Sequence, residues 1–538
     1  MSNQIVVKAP CGPIRGSQAS SDDVLKFLAI PYAEPPIGGR RFQPPTPKAP
    51  WSDTLDAFSF GPASAQVFDP KESKVAEFED SVTETAPLFV GKEDSLTLNV
   101  ITPASDGRRR PVVVYVHGGA NWLESSRVSL YHMDEVARRG DVVAVSLNYR
   151  LGIFGALDLS VLGSDAPKGA HANCVRDQLC ALDWVKKNIA AFGGDPDNIT
   201  LVGESAGSMD ISWMVASGAL KGRVKRLVMM SGVAAVSGFG HDHQRSAHTL
   251  EEGRERARKF LEEIGISSYQ ELQGMSTEEL MSRCAAKVQR SDILFDMDTL
   301  FYPRVDPNFS DQDPFIAAAN GAADDLDILI GFTQYELGLW LTWDEDLDRR
   351  SPEWAAEVCP FIPKSLRKDI AALYRKELSR ETEGVQGMYL LSDAMFGAPS
   401  MIFADQVSKS NNRCWMYRFD YPCSDPRRGA LHAADVTFFL GTWNSPGGKA
   451  LLGESESEVV FQERESLSHL MQDVLITFAK TGNPSTDATP TWPPYSPDSP
   501  SYLSFDKQCR VDINPLGGRG EFWRSAIASP VIPPKVRK

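Results

Sequence analysis

Short runs that are apolar on both faces punctuate the middle of the chain. Pro111–Val116, Val142–Leu147, Ile199–Val202, Arg226–Met230 and Leu326–Ile330 are rich in valine, leucine and isoleucine and lack the alternation of a half-exposed strand. Such runs belong to strands covered on both faces, as in a parallel sheet flanked by helices. Between the second and third, Val175, Leu179, Leu182, Val185, Ile189 and Phe192 recur at helical spacing and stop at Gly193-Gly194. Glu93–Val100 alternates as a strand, and Arg413–Phe419 is a strand further on. Glu463–Lys480 is an amphipathic helix ended by Thr481-Gly482-Asn483-Pro484. Strand and helix in alternation predict an α/β fold with a large, mainly parallel central sheet. Residues 250–300 and 350–410 are helical and charged, and are expected as insertions over the top of the sheet. Residues 69–93 are acidic and read as a loop. No internal repeat and no flexible linker interrupts the chain, so a single domain over 1–538 is expected.

Composition narrows the partners. The 538 residues are 42% hydrophobic and 24% charged, enough for a large core, and the net charge is −15. No Lys/Arg run is dense enough to neutralise phosphates, which argues against nucleic acid and anionic membranes. No window approaches the roughly 20 apolar residues of a membrane span, and Met1–Pro10 lacks the features of a signal peptide. The eight cysteines form no C-x-x-C pair and no zinc spacing. Free thiols in the cytoplasm are the expectation. His241-Asp242-His243, with His248 nearby, reads as an exposed loop, and neither a metal nor a cofactor is expected. The oligomeric state is not legible.

Candidate chemistry begins where the third run ends, at Gly203-Glu204-Ser205-Ala206-Gly207. A G-x-S-x-G between a strand and a helix is a nucleophile elbow, a sharp turn that exposes the serine hydroxyl above the sheet. Serine needs an adjacent base, usually histidine, oriented by a carboxylate; in this architecture the chain order is serine, acid, histidine. Of the two histidines past residue 250, His469 lies in the amphipathic helix. His432 lies in a small-residue loop after a strand, where such sheets place their sites. Glu336 is the first carboxylate beyond the strand at 326–330. An oxyanion needs backbone N–H donors, and Gly119 and Ala120 in His117-Gly-Gly-Ala, together with Ala206, are placed to supply them.

With these residues in view, the chain resembles the type-B carboxylesterases, the carboxylesterase/cholinesterase family of α/β-hydrolases, over nearly its whole length. The matching blocks include Ile30-Pro-Tyr-Ala-Glu-Pro-Pro with Arg41-Phe42; Glu93-Asp-Ser-Leu-Thr-Leu-Asn-Val; His117-Gly-Gly-Ala; Leu147-Asn-Tyr-Arg-Leu-Gly; Asp177-Gln; Phe192-Gly-Gly-Asp-Pro; Gly203-Glu-Ser-Ala-Gly; and Thr481-Gly-Asn-Pro. The resemblance implies an α/β-hydrolase fold, a triad of Ser205, Glu336 and His432, and an oxyanion hole of Gly119, Ala120 and Ala206. It also implies supporting positions for Glu204 beside the nucleophile and Ser231 beside the acid, and ion pairs of Arg41 with Glu93 and Arg150 with Asp177. The departures are as informative. Ser95 and the stretch Ser64-Ala-Gln66 stand where the family closes a disulfide. Residues 65–95 lack tryptophan, which argues against choline esters. Ala433 and Asp435 stand where the family has glycine and glutamate.

The expected function is hydrolysis of a small-molecule carboxylic ester through an acyl-enzyme. An acyltransferase or lactone-forming enzyme using the same triad is the alternative, and a catalytically silent interaction protein a lesser one. Trp122, Leu123, Leu339 and Trp340 are expected at the substrate pocket, with Phe295, Met297, Leu300 and Phe301 above it. An apolar pocket without an arginine cluster favours neutral, apolar, fairly bulky esters.

Overall fold

The apolar runs lie side by side in one twisted sheet. The computed structural model describes residues 3–18, 23–68, 88–233, 249–287, 300–359, 362, 364–455 and 457–527. In chain order its principal strands are β1 (Asn3–Ala9), β2 (Gly12–Gln18), β3 (Leu25–Pro31), β4 (Thr97–Thr102), β5 (Arg110–Val116) and β6 (Val143–Leu147). They continue with β7 (Gly194–Glu204), β8 (Arg226–Met230), β9 (Asp327–Thr333), β10 (Cys414–Phe419), β11 (Ser501–Phe505) and β12 (Arg510–Ile513). With the short strand Leu55–Asp56 beside β2, they form a sheet of thirteen strands among the described residues. Its order is β1-β2-β3-β4-β6-β5-β7-β8-β9-β10-β11-β12. The centre, from β6 to β11, is parallel. The pairs outside it are antiparallel, except that Leu55–Asp56 runs parallel to β2.

The two faces explain the missing alternation. In β5, Val112, Val114 and Val116 enter one core layer, while Val113 and Tyr115 enter the other. Every residue of β6 and β8 is buried. A strand covered on both sides has no solvent face to mark with polar residues. Because β6 lies on one side of β5 and β7 on the other, the chain reverses direction across β5, and a crevice opens past the carboxyl ends of these strands.

Helices cover the sheet. Asn173–Asn188 buries Val175, Leu182 and Val185, tightens into a 3₁₀ turn at Ile189–Phe192, and stops at Gly193 in the left-handed region. The helix expected at 463–480 is longer, Glu458–Thr481, begins at the cap Ser457, and ends at Gly482 with φ 83°. His469 is exposed on it. In the first insertion, Leu250–Glu263, Tyr269–Gly274 and Thr277–Ala285 each begin with a hydroxyl that accepts a hydrogen bond from the glutamate N–H three residues on. These are Thr249 with Glu252, Ser268 with Glu271 and Ser276 with Glu279. The second insertion carries Pro352–Val358, Arg367–Glu377, Glu383–Ser392 and Ala398–Val407, the last two joined by a π-helical turn at Asp393–Gly397.

One expectation needs correcting. The segment read as a loop at 69–93 closes with a strand: Leu88–Val90 pairs antiparallel with Gln66–Phe68 in a two-stranded ribbon. Beside it, Ser64 and Ser95 meet Oγ to Oγ at 2.8 Å, and Ser64 Oγ also donates to the Tyr149 carbonyl at 2.6 Å. A hydrogen bond therefore joins the two positions where the resemblance implies a disulfide. The implied ion pairs form with two-pronged geometry: Arg41 meets Glu93 at 2.6 and 2.8 Å, and Arg150 meets Asp177 at 2.6 and 2.7 Å. All eight cysteines are free. Among the described residues no helix is long and apolar enough to cross a membrane.

Candidate active site

β7 ends at Glu204, and Ser205 starts the helix Ala206–Ala216 with φ 52° and ψ −122°, a conformation that non-glycine residues rarely hold. The strain persists because the turn is boxed in. A Cβ on Gly203 would come within 2.7 Å of the Gly207 backbone, and one on Gly207 within 2.4 Å of the Val116 carbonyl. The Ser205 N–H donates to the Met230 carbonyl at 2.9 Å, which ties the turn to β8.

Glu336 follows β9 and opens a 3₁₀ turn, Glu336–Thr342. It is fully buried, with both carboxylate oxygens engaged. Oε1 accepts from Ser231 Oγ at 2.8 Å and from the Thr333 N–H at 2.7 Å, and Oε2 meets His432 Nδ1 at 2.5 Å. The His432 N–H also donates to the Glu336 carbonyl at 3.1 Å. A carboxylate on Nδ1 fixes the tautomer that leaves Nε2 free to accept a proton.

The far side of the ring faces Glu204. His432 Nε2 and Glu204 Oε1 are 3.1 Å apart, and both residues are buried. Burial works against charge on His432, but Glu204 and Glu336 outweigh it and lift the imidazole to about 9. Burial in turn lifts the Glu204 carboxyl to about 8. The contact is a charge contact: among the described residues Glu204 Oε1 has no hydrogen-bond partner, and the two carboxylates together favour a protonated ring. No hydrogen bond joins Ser205 Oγ to His432 among the described residues; in unliganded sites such a bond commonly tightens only with substrate. Asp435, which stands where the family resemblance puts glutamate, is buried, accepts from Tyr417 Oη at 2.7 Å, and is raised to about 7 by burial.

Two carboxylates beside one ring set its expected pH dependence. For a general base at this position the ring must be neutral, so the acidic limb of kcat/KM is expected above the ordinary imidazole value of 6.5. Glu204→Gln removes one of the two carboxylates that favour the imidazolium and should move that limb down by about one pH unit. A pH–rate profile that is unchanged in the variant would show that Glu204 does not tune the ring.

Past β5 the chain runs His117-Gly118-Gly119-Ala120-Asn121, and Gly119, Ala120 and Asn121 have φ of 91°, 55° and 57°. The Gly119 carbonyl accepts from the N–H groups of Trp122 and Leu123. Among the described residues the N–H groups of Gly119, Ala120 and Ala206 donate to no protein acceptor. Beside them His117 is buried, stacks on Tyr149 with ring centroids 4.4 Å apart, and is held by burial near 4, hence neutral.

Of the residues expected at the pocket, Trp340 is buried with its ring 5.3 Å from that of His432. Trp122 is buried and stacks on Phe301 at 5.5 Å, and Phe301 in turn meets Phe260 of the first insertion edge-on. Leu123, Leu339 and Leu300 are half-buried against the core. Phe295, Met297 and the histidines at 241, 243 and 248 lie outside the described residues. Sequence reasoning missed Phe396, whose ring lies 4.6 Å from His432 and 5.9 Å from Trp340. It projects from the π-helical turn, a feature often found at functional sites, and no local signal in the sequence marks it.

Ala433 adopts φ 65° directly after His432, at the position where the family resemblance puts glycine. A left-handed alanine costs about 1–2 kcal/mol, partly offset in a glycine by its greater chain entropy. Ala433→Gly should therefore raise unfolding free energy by about 0.5–1 kcal/mol, read as a higher urea midpoint. A lower midpoint would mean that the alanine methyl contributes more packing than its backbone costs.

A parallel sheet with a strained serine at the elbow after a central strand, and a histidine and acid on later loops, is that of an α/β-hydrolase. The chain belongs to the carboxylesterase family, whose model matches residues 3–523, and it is a carboxylic ester hydrolase. It is 33% identical over 519 residues to the para-nitrobenzyl esterase of Bacillus subtilis, covering 96% of this chain and 97% of that one. It is 28% identical to the phenmedipham hydrolase of Pseudarthrobacter oxydans, over 90% of this chain and 91% of that one. Among solved structures it superposes on a thermophilic PNB esterase with a TM-score of 0.79 at 32% identity, over 96% of this chain and 99% of the other. A carboxylesterase of Geobacillus stearothermophilus also gives 0.79, at 29% identity over 96% and 99%.

Proposed function

We propose that Ser205, His432 and Glu336 are nucleophile, general base and orienting acid in the hydrolysis of neutral, apolar, fairly bulky carboxylic esters. The observation that carries this reading is the buried contact from Glu336 to His432 Nδ1, set beside a strained Ser205 and three N–H groups without acceptors. Substrate displaces the Glu204 contact at Nε2, and Ser205 Oγ attacks the carbonyl carbon as His432 takes its proton. The oxyanion that forms is held by the N–H groups of Gly119, Ala120 and Ala206. His432 then protonates the departing alcohol, and water, activated by the same ring, releases the acid. Eight free thiols and the Ser64–Ser95 hydrogen bond support work in a reducing compartment.

Trp340 and Phe396 beside His432, and Trp122 beyond the oxyanion loop, support an apolar substrate. A relative named for para-nitrobenzyl esters agrees. Buried Glu204, Glu336 and Asp435 disfavour a substrate carboxylate near the ring. Across a series of matched p-nitrophenyl esters, kcat/KM should be at least about tenfold higher for apolar acyl chains than for an acyl chain ending in carboxylate. Preference for the charged acyl chain would overturn the substrate class and leave the triad reading intact.

A further inference from the structure

The oxyanion loop and the nucleophile helix come from the ends of different strands, β5 and β7, yet their N–H groups must converge on one oxygen. Asn121 closes the loop. Its carbonyl accepts from the Gly152 N–H at 2.7 Å, and its Nδ2 donates to Asp210 Oδ1 at 3.0 Å. Asp210 lies on Ala206–Ala216, five residues past Ser205, and is wholly buried. Its Oδ2 accepts from Gln178 Nε2 at 2.5 Å, on the helix Asn173–Asn188. Among the described residues Asn121 Oδ1 and Gln178 Oε1 have no hydrogen-bond partner, so each amide is anchored there through Asp210. Among the described residues no cation is paired with the acid, and burial raises its carboxyl to about 7. The same helix is otherwise lined with Ile211, Trp213, Met214 and Val215. An apolar residue would fit such surroundings at lower cost than an acid held only by two amides.

We infer that the Asn121–Asp210 hydrogen bond is a strut that sets the spacing between the two halves of the oxyanion hole, Gly119 and Ala120 on the loop and Ala206 on the helix. The inference rests on the ester-hydrolase reading above. Both side chains are fully buried, away from the face a substrate would reach. Both are positioning residues, and their effect falls on the transition state because only the oxyanion needs all three N–H groups at once. Gln178 holds the carboxylate from behind, so that Asp210 presents Oδ1 to the loop.

The test uses Asn121→Gly, which keeps the left-handed backbone accessible and removes only the strut, with Asp210→Ala and Asp210→Asn beside it. Asn121→Gly and Asp210→Ala should each lower kcat by at least about tenfold with KM within about twofold. Affinity for a trifluoromethyl ketone, whose hemiketal oxygen occupies the hole, should weaken by the same factor as kcat. Asp210→Asn keeps an acceptor for Asn121 and offers a donor to Gln178 Oε1, and should recover most of the activity lost in Asp210→Ala. The double variant Asn121→Gly/Asp210→Ala should be no worse than the poorer single variant. A kcat loss below about tenfold in both single variants, a loss carried by KM, undiminished inhibitor affinity, no recovery in Asp210→Asn, or losses that multiply in the double variant would each overturn the strut. Should one single variant fail to fold, the other decides. A wild-type protein that hydrolyses no ester and takes up no ketone would sink the site reading itself; an active wild type with unmoved variants would sink the strut alone.

Discussion

Ser205→Ala is expected to lower kcat for ester hydrolysis by about 10⁴- to 10⁶-fold, with the far-UV circular dichroism of the parent. The loss corresponds to about 5–8 kcal/mol of transition-state stabilisation. It arises because the acyl-enzyme path needs an oxygen where the elbow places Oγ, and no neighbouring hydroxyl can substitute. Ser208 Oγ donates to the Gly232 carbonyl and Ser231 Oγ to Glu336, so the nearest candidates are occupied. What remains in the variant is attack by water helped only by binding and the oxyanion hole. Alanine suits the same φ of 52° as poorly as serine does, so stability should stay within about 0.5 kcal/mol. A variant retaining more than about a hundredth of the parent kcat would remove Ser205 from the mechanism.

Glu336→Gln should cost about 10⁴-fold in kcat with little change in KM. The amide can still accept from Ser231 Oγ and the Thr333 N–H through its oxygen, which preserves the local fold. Its NH₂ then faces His432 Nδ1, at the position where Oε2 sits 2.5 Å away. Nδ1 must become the acceptor, the proton moves to Nε2, and the ring can no longer take a proton from Ser205. The imidazolium that develops during attack also loses its counter-charge. A kcat within about tenfold of the parent would show that Glu336 only fills space.

The parts of this site that were legible in the sequence are those written in local chemistry. The elbow could be read because Gly203 and Gly207 are required by contacts within one turn, and the oxyanion loop because small residues follow an apolar strand directly. Glu336 and His432 could be picked out because strand ends limit where an acid and a base can stand in an α/β sheet. The first insertion was legible only as helical and charged, and its caps at Thr249, Ser268 and Ser276 emerge in the structure. What stayed hidden depends on contacts between distant segments. Phe396 is one apolar residue within a long helical stretch until a π-helical turn rotates it onto His432. Asp210 looks like an ordinary polar position on a helix until Asn121 and Gln178 converge on it. The contact of Glu204 with His432 Nε2 depends on side-chain direction, which residue order does not carry. The ribbon Gln66–Phe68 with Leu88–Val90 was masked by the acidic stretch between its strands, whose composition speaks only for itself.

The central claim is that Ser205 is a nucleophile activated by His432. A fluorophosphonate reacts covalently with such a serine and is attacked poorly by unactivated hydroxyls. The decisive measurement is peptide mapping by mass spectrometry after treating the folded protein with the probe, alongside His432→Ala. One adduct is expected, on the peptide carrying Gly203-Glu204-Ser205-Ala206-Gly207, formed at least about a hundredfold more slowly in the variant. No adduct on that peptide, or labelling at the parent rate without His432, would contradict it.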